Sequence, residues 1–201
     1  MIELFKAGGI CMWPILFLSV LSLAIFLERL VFLRPGKYVP GDFTYRLFGA
    51  LRNKAFEEAR IICDNNKSST AKICKDILEN TDLPISRLLE LAEDSGRSES
   101  REIEKYMPTL QVIISLGPLF GFYGTVLGMF KTFVAISQHG MTNVQPLASG
   151  ISEAIITTAA GLPVAIMTTI FYYIIKYKTD KIIYLMERTV SEVVNTIFKG
   201  E

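Results

Sequence analysis

Three residues stand out for their chemistry in this chain of 201 residues: Thr125 in "GPLFGFYGTVLG", and Glu153 and Thr158 in "SGISEAIITTAAGLPVAIMTTIFYY". All three fall in stretches apolar enough to lie in a membrane. A carboxylate there is costly unless it is paired, protonated or exposed to a water-filled cavity, which makes Glu153 a functional-site candidate by default; the plainer reading is an acid that snorkels to the interface. The hydroxyls have a plain reading too, a bond back to a carbonyl of their own helix. What argues against it is their setting. Gly117, Gly121, Gly124 and Gly128 recur at helical spacing and form one narrow stripe, with Pro118, Thr125 and Thr132 on the same face. In the following apolar block Ala154, Thr158, Gly161, Ala165 and Thr168 descend one side. Small residues in stripes let membrane helices approach closely, and here each stripe surrounds hydroxyls.

The two threonines also match in depth. With a hairpin closing between about Gln138 and Pro146, both stand roughly 20 Å along their helices from the turn at ~1.5 Å per residue. Helical geometry separates Glu153 from Thr158 by about 140°, whereas Thr157 is only about 40° from Glu153, so a regular helix aims the acid and Thr158 at different neighbours. Lys131, Glu28 and Arg29 stand near span ends and read as snorkelling residues. His139, the single histidine, falls in the connecting loop. No nucleophile with its base, metal-ligand cluster or phosphate loop is present, so no enzyme, metal site or cofactor is expected.

The elements that must position these residues are set by hydropathy. Half of the chain is hydrophobic and its mean hydropathy is +0.36. Apolar character gathers at residues 10–33, 109–136 and 146–175, each long enough to cross the ~30 Å core of a bilayer. The first block runs into "ERLVFLR" instead of a cleavage site and is expected to be a retained helix. Residues 34–105 carry thirteen Lys or Arg and the connection "SQHGMTNVQPLA" carries none, which puts the N-terminus outside and the C-terminus inside. Those thirteen bases are matched by thirteen acids, so no nucleic-acid partner is expected. The cysteines, Cys11, Cys63 and Cys74, form no CxxC pair and read as free thiols.

The expected organisation is all-α. It comprises an N-terminal segment and first membrane helix (1–34), a cytoplasmic helical domain (35–107), a second membrane helix (108–138), a short outer loop (139–145), a third membrane helix (146–177) and a cytoplasmic C-terminal helix (178–201). The strip "SESREIEKYMPTLQVII" carries no strong turn signal besides Pro108, so the second membrane helix is expected to extend well into the cytoplasm.

These residues resemble the MotA/TolQ/ExbB proton-channel proteins. "GPLFGFYGTVLGMFKTF" is similar to that family's second pore helix, "GISEAIITTAAGLPVAI" to the next, and "MWPILFLSVLSLAIFLERL" to its first span. Three spans and an outside N-terminus bring the chain closer to ExbB and TolQ than to the four-span MotA. The resemblance implies a pentameric ring in the inner membrane, with a single-span partner of the ExbD or TolR kind in its pore and a TonB- or TolA-like protein beyond. It places the family's pore threonines on Thr125 and Thr158 and its pore glutamate on Glu153. It also implies a smooth pore wall of Pro118, Gly121, Gly124, Gly128, Gly161 and Ala165 past which the partner moves. The implied function is ExbB-like energising of outer-membrane transport, with TolQ-like envelope maintenance or another motor role as the alternative. Outside the family, a passive structural hairpin or a small-solute transporter would account for the spans, although the duplication common in transporters is not seen.

Overall fold

The structure, a computed structural model, describes residues 2–139 and 144–198. Nine helices and no strand occur among the described residues: α1 (Ile2–Ala7), α2 (Met12–Phe32), α3 (Pro35–Tyr38), α4 (Gly41–Arg52), α5 (Phe56–Asp64), α6 (Ser69–Glu79), α7 (Ile85–Glu104), α8 (Met107–His139) and α9 (Val144–Phe198). α2, α8 and α9 each contain a stretch long and apolar enough to cross a membrane, which agrees with the three expected spans. Of the expected outer loop, residues 140–143 lie outside the described residues, as does the His139 side chain.

The contacts divide the chain into two compact units. One consists of Met1–Arg29 with Tyr106–Ile175, the other of Leu30–Lys105 with Lys176–Glu201. In the first, the apolar side chains are turned both inward and outward: Ile15, Leu18 and Ile25 of α2 are buried, while Phe17, Phe122, Phe130, Phe133 and Tyr173 stand exposed. Exposed aromatics in such number suit helices whose outer face meets lipid or other subunits rather than water. Phe26 of α2 stacks on Phe171 of α9 with centroids 4.2 Å apart.

Arg29 departs from the snorkelling expected of it. It is buried, its Nε lies 2.9 Å from Glu28, and its guanidinium covers the Tyr106 ring at 4.4 Å from the centroid. A planar cation over an aromatic face keeps electrostatic compensation without reaching for water.

The second unit is an ordinary amphipathic assembly. Phe43, Leu47 and Leu51 of α4, Ile62 of α5, Ile73, Ile77 and Leu78 of α6 and Leu88 of α7 are buried at three- and four-residue steps. On α9, Ile182, Met186, Val190 and Val193 follow the same period. The Ser68 hydroxyl accepts from the Ala71 amide and caps α6. Between α4 and α5 the chain turns at Lys54, a non-glycine residue with φ of 56°. The second membrane helix, expected to extend well into the cytoplasm, starts at Met107, and α7 ends before it at Glu104. Proline lacks a backbone donor, which the first turn of a helix does not need, so Pro108 is at home at the start of α8.

Cys63 and Cys74 are free and buried in this unit. Burial pushes the Cys63 thiol from its ordinary 9.0 to about 12, and raises Cys74 for the same reason. Both thiols hold their protons more tightly folded than unfolded, so they contribute stability that is complete below the unfolded thiol range and declines as pH rises through it toward about 12. The expected result at pH 8 is negligible maleimide labelling of Cys63 and Cys74 in folded protein and rapid labelling in denaturant, read by mass spectrometry. Rapid labelling of the folded chain would contradict the burial described.

Candidate functional site

α8 and α9 meet along both small-residue stripes, and each glycine is answered by a specific neighbour. A Cβ at Gly117 would stand 3.1 Å from the Gly161 carbonyl and 3.4 Å from the Ala165 Cβ; one at Gly121 would stand 3.2 Å from the Thr157 carbonyl and 3.2 Å from the Thr158 Cα. At Gly124 it would enter the Thr157 side chain, and at Gly128 it would press on the Gly150 carbonyl and come within 2.9 Å of the Ala154 amide nitrogen. The backbones approach as closely as glycine allows. The residues expected to form a smooth wall pack within the chain. Gly121, Gly124, Gly128, Gly161 and Ala165 are buried against the facing helix of the same chain, and only Pro118 on that roll is half-buried. Their stripe locks a hairpin.

The hydroxyls flank that seam. Thr158 donates across it to the Gly121 carbonyl at 3.2 Å and lies 3.3 Å from the Ala154 carbonyl of its own helix. Thr125 donates to the Phe122 carbonyl at 2.6 Å. Gly121 and Thr125 are about one helical turn apart, so the two threonines occupy adjoining levels. Both protons are engaged by backbone carbonyls, which can only accept. The capacity left to each oxygen is therefore its lone pairs, and both side chains are half-buried and not sealed. Around them a partner would find two acceptors, not two donors.

Thr157 was passed over in the sequence and is the more deeply placed neighbour. It is fully buried, donates to the Glu153 and Ala154 carbonyls at 3.0 Å each, and fills the space left at Gly124. Its closeness to Glu153 around the helix was the available signal. Thr132 and Thr168 bond back to Gly128 and Val164, one turn behind, as threonines in membrane helices commonly do.

Glu153 does turn to a different neighbour from Thr158. Lys131 of α8 donates to both its carboxylate oxygens, at 2.6 and 2.7 Å, and the Glu153 side chain is 12% exposed. Lys131, expected to snorkel, is thus half of an ion pair. The signal was the same arithmetic that matched the threonines: both residues stand about two turns from the hairpin ends at His139 and Val144. Among the described residues no cluster of His, Cys, Asp and Glu could hold a metal ion.

The family model described as the MotA/TolQ/ExbB proton channel family matches residues 65–188, a span that includes Thr125, Lys131, Glu153 and Thr158. The biopolymer transport protein ExbB-like 3 of Synechocystis sp. is 29% identical over 183 residues, covering 82% of this chain and 80% of that protein. The Tol-Pal system protein TolQ of Haemophilus influenzae is 30% identical over 165 residues, 77% of this chain and 72% of that protein. The biopolymer transport protein ExbB of Salmonella typhimurium is 40% identical over a shorter stretch of 65 residues, 32% of this chain and 27% of that protein.

Proposed function

The chain belongs to the MotA/TolQ/ExbB proton channel family, and on that premise we propose that it is the ring-forming subunit of an inner-membrane motor that couples the proton motive force to mechanical work in the manner of ExbB. Five copies surround a pore with α8 and α9 of each toward the lumen. A single-span partner of the ExbD kind threads the ring, and a TonB-like protein carries the work to outer-membrane transport. The N-terminus is periplasmic and the C-terminus cytoplasmic, as the distribution of basic residues favours. The ExbB-like relative that extends over 82% of the chain supports this reading. The TolQ relative supports the alternative, a role in envelope maintenance with TolR- and TolA-like proteins.

The observation that carries the reading is the pair of half-buried hydroxyls at adjoining levels, Thr125 and Thr158, whose protons go to backbone carbonyls. The family resemblance assigns the titrating acid of the path to the partner, which fits the absence of aspartate from the three apolar blocks of this chain. A protonated carboxyl needs an acceptor, and two oxygens with free lone pairs supply it; a carboxylate gains nothing from them. The threonines therefore favour the partner in its protonated form, and release of the proton to the cytoplasm weakens its hold at that level. Each charge that crosses brings ~2.3 kcal/mol per 100 mV of membrane potential, enough to bias which position the partner occupies. Glu153 stands at the outer end of this path.

The test is proton flux. The complex purified from native membranes is weighed by native mass spectrometry and placed in liposomes containing a pH-sensitive dye, and a potassium–valinomycin potential is applied. Five copies with a single-span partner and potential-driven acidification are the expected results. A conducting complex without that stoichiometry would remove the ring as described, and an intact ring that passes no protons would remove the channel reading. Gene deletion then separates the systems: failure to grow on outer-membrane-transported iron chelates marks the ExbB role, detergent sensitivity and envelope leakage the TolQ role.

A further inference from the structure

Three elements of one unit close around the Glu153 carboxylate. Lys131 of α8 holds both oxygens. Gly9, between α1 and α2, has φ of +65°, and a Cβ there would run into the carboxyl group itself; one at the preceding Gly8 would stand 3.1 Å from Ile156, a turn along α9. Glycine is required at Gly9 twice over, by its left-handed backbone and by the acid it touches. Within the pair the acid is the enclosed member and the base the open one, 12% against 55% exposed. An enclosed carboxylate with both oxygens bonded to one ammonium has its charge compensated in place, and that partner stabilises it in an apolar span.

We infer that Lys131 is a positioning residue of the channel that acts through Glu153: the two form one charge-neutral unit beside the path, and what proton passage requires of Glu153 is that neutrality and its fixed placement under Gly9, not carriage of the proton. This rests on the proton-channel reading above and narrows the role of Glu153 within it. Replacing Glu153 alone leaves an unmatched ammonium in every subunit, beside a route for a cation. Like charge raises the barrier to entry, so Glu153→Gln blocks flux even though Glu153 relays nothing. Neutralising Lys131 as well removes the obstacle.

The experiment measures liposome proton flux of the complete complex, at equal assembly by mass, for wild type, Glu153→Gln, Lys131→Met, the double variant and Lys131→Arg. Each neutralising single variant is expected to lose roughly tenfold or more, Glu153→Gln through the like charge left beside the path and Lys131→Met because the carboxylate loses the partner that fixes its placement. The double variant is expected to recover to within about threefold of wild type, and Lys131→Arg, which keeps the charge, to retain most of the flux. The charge-exchanged variant, Lys131→Glu with Glu153→Lys, is expected to exceed Lys131→Glu alone. A double variant as inactive as Glu153→Gln in a conducting wild-type background would overturn the inference and make Glu153 a relay. Lys131→Met with wild-type flux would overturn it equally. A wild-type complex that passes no protons overturns the channel reading, and this inference with it.

Discussion

Thr125→Val and Thr158→Val are each expected to lower proton-driven activity by roughly tenfold to hundredfold, the loss that corresponds to one missing hydrogen bond to a titrating group, while the complex assembles at the wild-type level. Valine keeps the shape of threonine and removes only the oxygen, so packing at the seam between α8 and α9 is retained. What disappears at Thr158 is also one bond to the Gly121 carbonyl, and such interhelical bonds contribute only about 0.6 kcal/mol on average in membrane proteins. A thermal melt should therefore move little while activity falls steeply. Serine at either position keeps the oxygen and is expected to restore most of the activity. Wild-type activity in both valine variants would reduce these threonines to packing, and the acceptor mechanism would have to be abandoned.

The second large effect concerns folding. Gly128→Val should prevent the hairpin from closing in its present form, because even the first added carbon meets the Gly150 carbonyl and the Ala154 amide, which are backbone and cannot rotate aside. Overpacking of a tight contact costs about 1–3 kcal/mol and more where backbone must shift. The expected readings are a lowered melting temperature and loss of the assembled ring on size exclusion. Gly49 provides the contrast. It lies exposed inside α4 with nothing within 4 Å of its missing Cβ, so Gly49→Ala should stabilise by up to ~1 kcal/mol through helix propensity. Equal behaviour of the two variants would mean that Gly128 makes no tight contact.

The sequence disclosed what depends on composition and period. The three apolar blocks named the spans, and the four- and three-residue steps of Gly117, Gly121, Gly124 and Gly128 identified the helix face that packs. What that face packs against was not legible, because a stripe of small residues is equally suited to another subunit, a moving partner or its own hairpin; only the placement of Ala154, Thr157 and Gly161 opposite it decides for the hairpin. Lys131 was misread for a related reason. A charge near a span end has a low-cost local solution in the headgroups, and recognising a better one requires the rotational phase of two helices at once. Arg29 needed Tyr106, distant in sequence, to turn a snorkelling cation into a buried one. Pro108 was the reverse case: the break between α7 and α8 falls just before it, whereas Pro118 and Pro163 stand inside α8 and α9, and the smooth change from charged to apolar residues around Pro108 concealed the break.

The seam between α8 and α9 also raises the question of register. Small residues opposed at every turn make a ladder whose rungs are nearly alike, and sliding one helix by a turn, about 5.4 Å, would again set glycine and alanine against glycine. Van der Waals contact alone discriminates poorly between such settings. One rung is unlike the rest: the Lys131 ammonium meets the Glu153 carboxylate in one setting only. A slip by one turn would leave those two opposite charges unmatched. The hairpin is held together by its smallest side chains, but its alignment is decided by the few that are neither small nor apolar.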